Sequence, residues 1–240
     1  LEDIIIRYKL EECVDMPEKT VHTYRIDMPK WLRQAYDDFI THQIYVSESG
    51  ETTIAAHKAV LKMKARQLLS GSLYGAESVI KVHKERTELA IELATQAEHS
   101  IIGFNFQHER QRILEEAKAR KIGTAYIDGS VTEKTRHQIW KDFQDGKYEL
   151  LLLHPQAAAH GLTFTRATRI VWHSPPENLE HYIQLNHRIY RNGQTRETQI
   201  IRIAYENTIE EDIYDINLND KEKNQNQTLD VFEMLMKTRT

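Results

Sequence analysis

Three polar side chains in the last third of the chain have the types and the spacing to bind an anion. Gln184, Arg188 and Arg191 follow one another at steps of four and three residues, which places them on one face if the segment is an α-helix. Neighbouring arginines at this spacing repel each other by about 0.2–0.5 kcal/mol. Their pairing is therefore best explained by an anion opposite them, and a triphosphate suits two guanidinium groups. A lone arginine near a helix end could instead complement the helix dipole.

A helix over residues 174–192 is predicted to carry this face. Ser174 and Glu177 have the spacing of a capping box, and Pro175 stands at the first helical position. Asn192 and Gly193 favour a left-handed backbone just past a helix end. Five apolar residues at helical spacing form a second stripe that we expect to be buried: Leu179, Tyr182, Ile183, Ile189 and Tyr190.

The pattern Gln184-x3-Arg188-x2-Arg191-x-Gly193-Gln194 resembles motif VI of superfamily-two helicases, in the form found in the Swi/Snf-like DNA translocases. In that family the arginines of this motif reach from the second RecA-like lobe to ATP held by the first. The resemblance implies that Arg188 and Arg191 are arginine fingers, that Gln184 lies beside the nucleotide, and that ATP with Mg²⁺ is bound mainly by an N-terminal RecA-like lobe.

The composition is that of a globular protein without a membrane anchor. With 240 residues, of which 40% are hydrophobic and 28% charged, the chain can build one sizeable core with an appended subdomain. No apolar run is long enough to span a bilayer. The single cysteine, Cys13, allows no internal disulfide, which favours a cytoplasmic protein. Because the chain begins with Leu1, we expect it to be part of a longer protein, and its net charge of −4 argues against an indiscriminate polycation.

Residues 1–76 are predicted to link and brace the rest, with a strand over 21–28 and a helix over 29–41. In that helix Trp31, Leu32, Ala35 and Phe39 are the expected core face. A second helix carries bases four residues apart, at Lys58, Lys62 and Arg66. Such a face could follow the phosphate backbone of double-stranded DNA, or it could be an ordinary solvated surface. This passage resembles the helical protrusion of compact Swi/Snf-like proteins.

Residues 77–220 are predicted to form an α/β lobe, in which helices flank a parallel sheet with right-handed crossovers. The four consecutive leucines 150–153 are typical of a strand covered on both faces. The expected helices span 84–98, 107–120 and 132–143, and the expected strands span 100–106, 123–127, 150–153, 169–173 and 199–204. A further helix is predicted within residues 221–240. The resemblance makes this lobe RecA-like, with the N-terminal residues as its helical brace and protrusion.

Other stretches resemble further family motifs in the same order. Residues 101–106 resemble motif IV, residues 125–146 resemble the family's strand, Asp-Gly-Ser turn and helix, and residues 154–172 resemble motif V. In motif V, Ala158 and Ala159 replace two glycines; alanine restricts the backbone, so the loop is expected to be more helical. The resemblance implies a nucleotide-coupling role for Gly161. It also implies contacts with the DNA backbone at four positions: Phe104, Gly129, His160 and Thr163.

Some chemistry has no support in the sequence. There is no G-x-x-x-x-G-K-[ST] loop and no acidic stretch after a buried strand to hold Mg²⁺. An arginine finger stabilises charge on a nucleotide positioned elsewhere, so this chain alone is expected not to hydrolyse ATP. The twelve histidines include no HExxH pair and no cysteine-rich partners, and we predict no metal site.

The motifs together favour the C-terminal motor lobe of an ATP-dependent double-stranded DNA translocase or helicase, of phage or bacterial type. One alternative is a non-catalytic nucleic-acid-binding module of the same fold. A less favoured alternative is one lobe of a nucleotide-sugar transferase, in which paired basic residues would contact a diphosphate.

Overall fold

The computed structural model describes residues 15–47, 50–75, 78–176 and 178–215, with residues 158–160 described in their backbone only. The helix predicted within 221–240 and the single cysteine lie outside these ranges. Within them, no helix has both the length and the apolar character needed to cross a membrane.

Strands and helices alternate along most of the chain. The N-terminal part contains β1 (Lys19–Ile26), α1 (Lys30–His42), β2 (Ile44–Val46), β3 (Thr52–Ile54), α2 (Lys58–Leu69), β4 (Ser72–Tyr74) and β5 (Val79–Lys81). The remainder contains α3 (Glu85–Thr95), β6 (Ser100–Gly103), α4 (Gln107–Ala119), β7 (Thr124–Ile127), α5 (Glu133–Gln144), β8 (Leu150–Leu153), a 3₁₀ helix (Pro155–His160), β9 (Arg169–Trp172), α6 (Leu179–Asn186), β10 (Thr198–Tyr205) and α7 (Ile209–Asp212).

Six strands form one sheet in the order β1-β10-β9-β6-β8-β7, and every pairing in it is parallel. This confirms the α/β class and the parallel sheet flanked by helices. The predicted strand and helix positions of the lobe agree with the structure to within three residues, except for the helix predicted over 174–192. The register places Ile101 of the central β6 between Leu151 and Ile170.

The leucine strand β8 is covered on both faces, as predicted. Leu151 and Leu153 pack in the core on one side of the sheet, together with Trp172. Leu150 and Leu152 pack in the core on the other side. A run of four leucines is stable in this strand because alternate side chains of a strand point to opposite faces.

The N-terminal segment is joined to the sheet more closely than we predicted. β1 was expected in a linking segment, but it pairs with β10 from Lys19 opposite Thr198 to Ile26 opposite Tyr205 and forms one edge of the sheet. The elements from α1 to β5 share a third core. The predicted core face of α1 is partly wrong, because Trp31 is 49% exposed; the buried residues of α1 are Leu32, Tyr36 and Phe39.

Gly103 ends β6 at a point where no side chain fits. A Cβ atom added there would lie 2.9 Å from Cε3 of Trp172 and 3.1 Å from Cδ2 of Leu185. We expect Gly103→Ala to lower the free energy of unfolding by about 1–3 kcal/mol, because both neighbours are fully buried and must shift. Urea unfolding would measure this, with Gly129→Ala as the control, since a Cβ at Gly129 meets no atom within 4 Å. Equal stability of the two variants would contradict the prediction.

Candidate functional site

The helix that precedes the two arginines is shorter than predicted at its start. α6 begins at Leu179, and the side-chain oxygen of its N-cap Asn178 accepts hydrogen bonds from the amides of Glu180 (2.8 Å) and His181 (3.4 Å). Ser174 does not cap it: its hydroxyl and carbonyl oxygens accept from Nδ2 of Asn105 at 2.9 and 2.8 Å. The capping-box prediction at Ser174 is therefore wrong, because a nearer asparagine satisfies the first helical amides. Glu177, its expected partner, lies outside the described residues.

The helix also ends earlier than predicted. Its last residue is Asn186, and His187 is the C-cap. Arg188 and Arg191 consequently lie in the turns after α6 and not on a continuous helical face. Gly193 has the left-handed backbone that we expected, with φ of +97°, although it ends this turn region and not a helix. Of the predicted apolar stripe, Leu179, Tyr182, Ile189 and Tyr190 are buried and Ile183 is partly buried.

The positive charge of Arg191 acts on the neighbouring Arg188. Arg188 is half-buried and Arg191 is exposed. Burial, and secondarily the positive charge of Arg191, lower the pKa of the Arg188 guanidinium below its ordinary value. Nε of Arg188 is buried and has no hydrogen-bond partner among the described residues. A buried polar group left unpaired costs about 1–3 kcal/mol, so an anion beside Arg188 would relieve both the missing bond and the repulsion.

Gln184 lies one turn before Arg188 and also has an unsatisfied atom. Its Nε2 donates to Oε1 of Glu180 at 2.8 Å, while its Oε1 is buried without a partner in the described part of the chain. An amide oxygen is only an acceptor, so the group that binds it must be a hydrogen-bond donor, such as a water molecule or a hydroxyl group. The two residues could thus bind different parts of one ligand.

The loop that follows β8 packs against α6. Its first part is the 3₁₀ helix, which contains both alanines that replace the glycines of motif V, so the expected helical character is confirmed. Gly161 ends this helix with φ of +77°, and an added Cβ would meet no atom within 4 Å. Glycine is favoured here by the backbone conformation, not by crowding.

This loop is tied to the arginine segment by its backbone. The amide of Phe164 donates to the carbonyl oxygen of Arg188 at 2.7 Å. The carbonyl oxygen of Thr163 accepts from Nε1 of Trp140, on α5, at 2.6 Å. The structure therefore brings Thr163 close to Arg188, two residues that the sequence analysis assigned to different motifs.

The Asp-Gly-Ser turn lies at the carboxyl end of β7. Oδ1 of Asp128 accepts from the amide and hydroxyl of Ser130 at 2.9 and 2.6 Å, and Oδ2 pairs with Arg110. Although burial acts to raise it, the bonds from Ser130 and the charge of Arg110 hold the pKa of Asp128 below its ordinary value. The ionised carboxylate fixes the turn so that Gly129 lies exposed. This exposure suits a contact between its backbone and a ligand.

Two of the side chains predicted to contact DNA are buried in this chain. Phe104 is 1% exposed and packs edge-on against His154, with ring centres 5.5 Å apart. Arg66 is 4% exposed, and its Nη2 donates to the carbonyl oxygen of Pro175 at 2.6 Å. The basic stripe on α2 is thus reduced to Lys58, which is exposed, and Lys62, which is half-buried.

A buried polar network near the carboxyl ends of β6 and β9 was missed by the sequence analysis. The carboxylate of Glu109 accepts from the amides of Asn105 (2.7 Å) and Phe106 (3.2 Å), and its Oε1 lies 3.4 Å from Nδ1 of His173. Although burial opposes ionisation, His173 keeps the pKa of Glu109 below its ordinary value. The spacing of Glu109 after Phe106 is the signal that could have predicted a capping role at α4. No trio of His, Cys, Asp or Glu within the described ranges is arranged to hold a metal ion.

Because of two buried histidines, we expect the folded chain to become less stable in mild acid. Burial, and secondarily Arg86, lower the pKa of His83 to about 4, and burial lowers the pKa of His108 to about 4. The unfolded chain takes up these protons near pH 6.5, so the free energy of unfolding should fall as pH drops from about 6.5 to 4, by about 1 kcal/mol per pH unit for each histidine. Urea titrations between pH 7 and 4.5 would measure the slope. His108→Gln should make it shallower, and an unchanged slope would contradict this assignment.

Known proteins share the fold of this chain, and a family model matches a range that includes the two arginines. Residues 81–193 match the helicase conserved C-terminal domain. The solved structure of the C-terminal part of the Fun30 ATPase domain superimposes with a TM-score of 0.65, covering 83% of this chain and 89% of that chain at 14% identity. At this identity the likeness shows the fold. The fold is that of a RecA-like lobe.

Relatives found by sequence similarity indicate which helicases this chain resembles most. The chain is 34% identical over 119 residues to the SNF2 domain-containing protein ENL1 of Oryza sativa subsp. japonica, and 35% identical over 119 residues to the DNA excision repair protein ERCC-6-like of Homo sapiens. The chain is therefore similar to the C-terminal lobe of the Swi/Snf-like superfamily-two helicases. Both alignments cover 48% of this chain but only 12% and 10% of the relatives' lengths. Putative protein p41 of Acyrthosiphon pisum secondary endosymbiont phage 1 is 23% identical over 205 residues, which is 83% of this chain and 41% of that protein.

Proposed function

We propose that this lobe is half of an ATP-dependent motor that moves along double-stranded DNA, and that Arg188 and Arg191 bind the phosphates of ATP held by an N-terminal RecA-like lobe. The observation that carries the proposal is the state of Arg188: half-buried, beside a second cation, with its Nε unpaired among the described residues. Two neighbouring guanidinium groups can spread over the oxygens of a phosphate chain and neutralise the charge that develops during phosphoryl transfer.

The nucleotide would require both lobes. The residues present fit the phosphate groups of ATP, whereas the described part of the chain contains no group of three His, Cys, Asp or Glu residues arranged to hold Mg²⁺. Mg²⁺ would therefore be held by the N-terminal lobe, and Gln184 would accept a hydrogen bond from a water molecule or a hydroxyl group at the same cleft. For this reason we propose that the chain alone hydrolyses no ATP.

The DNA contacts are proposed at positions whose exposure allows them. The turn at Gly129 and the loop from Gly161 to Thr163 present backbone groups, which bind phosphates without reading bases. Lys58 and Lys62 on α2 would add salt-dependent contacts. His160 stays a candidate by its position beside Gly161. As a DNA motor without a membrane span in its described residues, the protein would act where DNA lies, and we propose the cytoplasm of a bacterial or phage-infected cell.

The direct test is ATP hydrolysis by a protein that contains both lobes, with and without double-stranded DNA, combined with displacement of a third strand from a DNA triplex. We expect DNA to stimulate hydrolysis and the third strand to be displaced without separation of the duplex. The 240-residue chain should show neither activity. Salt-sensitive DNA binding without hydrolysis by the two-lobe protein would instead favour a non-catalytic nucleic-acid-binding module.

A further inference from the structure

The side chain of Gln194 joins the arginine segment to the loop that follows the 3₁₀ helix. Its Nε2 lies 3.1 Å from the carbonyl oxygen of Thr165, 3.0 Å from that of Ala167 and 3.2 Å from that of Ile189. Two of these acceptors belong to the loop, and the third lies between Arg188 and Arg191. One amide group thus holds both segments at once, with its two hydrogens shared among three carbonyl oxygens.

The other end of the same side chain is also used. Oε1 of Gln194 accepts from the amides of Thr195 (3.1 Å) and Arg196 (3.2 Å), which fixes which end of the amide faces the three carbonyl oxygens. The side chain is buried, with 4% of the residue exposed. The preceding Gly193 turns the chain with a left-handed backbone, and the amide of Gln194 closes that turn on the carbonyl oxygen of Arg191 at 2.9 Å. Both the nitrogen and the oxygen of the Gln194 side-chain amide are therefore held by hydrogen bonds.

A buried amide with all its hydrogen bonds made is a strong geometric constraint. Losing it would leave the buried carbonyl oxygens of Ala167 and Ile189 without this partner, each at a cost of about 1–3 kcal/mol. The segments would have to move apart or admit water to recover these bonds. Since Arg188 is bonded through its own carbonyl oxygen to the amide of Phe164 in the loop, any such movement would displace the guanidinium group of Arg188 relative to Gly161.

We propose that Gln194 is a positioning residue that couples the DNA-facing loop 161–168 to the arginine segment 187–193. It touches neither ligand itself. Its amide makes the two segments move as one unit, so that a shift of the loop on DNA is transmitted to Arg188 and Arg191. This inference deepens the proposed function and rests on it, but the physical coupling between the two segments can be measured without any activity.

The first test measures that coupling in the 240-residue chain. Gln194→Met keeps the length of the side chain and removes its hydrogen bonds. We expect exchange of the Phe164 amide hydrogen, followed by NMR, to accelerate by about tenfold or more, because the bond to the Arg188 carbonyl oxygen opens more often. Gln144→Ala is the matched control: Oε1 of Gln144 accepts from the amide of Arg166 in the same loop at 3.3 Å, and this side chain lies on α5 instead of the arginine segment. Unchanged Phe164 exchange in Gln194→Met would overturn the proposal.

The second test measures the consequence in the two-lobe protein. We expect Gln194→Met to lower kcat for DNA-stimulated ATP hydrolysis by about 10–100-fold, the scale expected when reacting groups shift by about 1 Å, with KM for ATP and DNA affinity within about twofold of wild type. Combined with Arg188→Ala, its effect should be much less than additive, because both changes act through one guanidinium group. Equal loss of kcat in Gln194→Met and Gln144→Ala, or full additivity with Arg188→Ala, would overturn the coupling role.

If Gln194→Met does not fold, Gln194→Asn keeps the amide on a shorter stem that cannot reach all three carbonyl oxygens, and the same outcomes apply. The results also separate this inference from the proposed function. Accelerated Phe164 exchange together with normal hydrolysis by Arg188→Ala would refute the arginine-finger role while leaving the coupling between the segments intact.

Discussion

Replacement of Arg188 by alanine in the two-lobe protein is expected to lower DNA-stimulated ATP hydrolysis by about 1,000-fold or more, while double-stranded DNA still binds. The loss follows from the geometry, because no described residue pairs with Nε of Arg188, which lies beside Arg191. Its guanidinium group would stabilise charge that exists only as the phosphoryl group is transferred. Steady-state kinetics at saturating DNA would measure kcat, and fluorescence anisotropy would measure DNA affinity. Arg191→Ala is expected to behave in the same way.

The control for this prediction is Arg120→Ala. Arg120 is an exposed arginine at the C-terminal end of α4, and its Nε pairs with Oε1 of Glu116 one helical turn away at 2.7 Å. Its loss should change hydrolysis by less than twofold. Arg188→Lys should recover little activity, because an ammonium group cannot make two parallel bonds to a phosphate. Wild-type rates in both arginine-to-alanine variants would refute the finger assignment and leave the arginines as DNA-holding or structural groups.

Replacement of Glu210 by alanine is expected to lower the free energy of unfolding of this chain by about 3–5 kcal/mol, because it leaves a buried guanidinium group without its counter-charge. Glu210 pairs with Arg86, and neither side chain is exposed. The same carboxylate accepts from the amide of Tyr205 at 3.1 Å. Arg86 in turn donates to the carbonyl oxygen of His173 at 2.8 Å. Urea unfolding at pH 7 would measure the change.

Two comparisons make this second prediction specific. Glu116→Ala removes the partner of an exposed arginine and should cost less than about 1 kcal/mol. The double variant Arg86→Met, Glu210→Leu should be more stable than Glu210→Ala alone, because it removes the unpaired charge. A Glu210→Ala protein as stable as Glu116→Ala would show that water reaches Arg86 or that the network rearranges.

Local signals predicted much of the α/β lobe. The leucine run at 150–153 was predicted with its observed bounds, because four apolar residues between polar flanks favour a covered strand whatever surrounds them. α5 begins after Thr132, whose hydroxyl accepts from the amide of Thr135 at 3.3 Å, a cap readable within four residues. The family resemblance supplied the roles of Gln184, Gly161 and the arginines, and those roles stay proposals.

The prediction failed where two local signals competed. The apolar residues keep helical spacing past Asn186, where the helix ends, because Ile189 and Tyr190 are buried in the turns that follow. Ser174 and Pro175 resemble a helix start, but Asn178 satisfies the first amides of α6 and leaves Ser174 to Asn105. Capping is a choice among nearby acceptors, and the surrounding packing decides which one is used.

The sequence by itself determined the order of strands and helices in the lobe, the strand covered on both faces, and the presence of two neighbouring arginines before a left-handed glycine. Only the tertiary structure decided that β1 joins the sheet, that Arg66 is buried against the carbonyl oxygen of Pro175, 109 residues away, and that Gln194 ties two motifs together. The physical reason is range: periodicity and turn chemistry act over a few residues, whereas a buried hydrogen bond depends on which distant segments the folded core brings within about 3 Å.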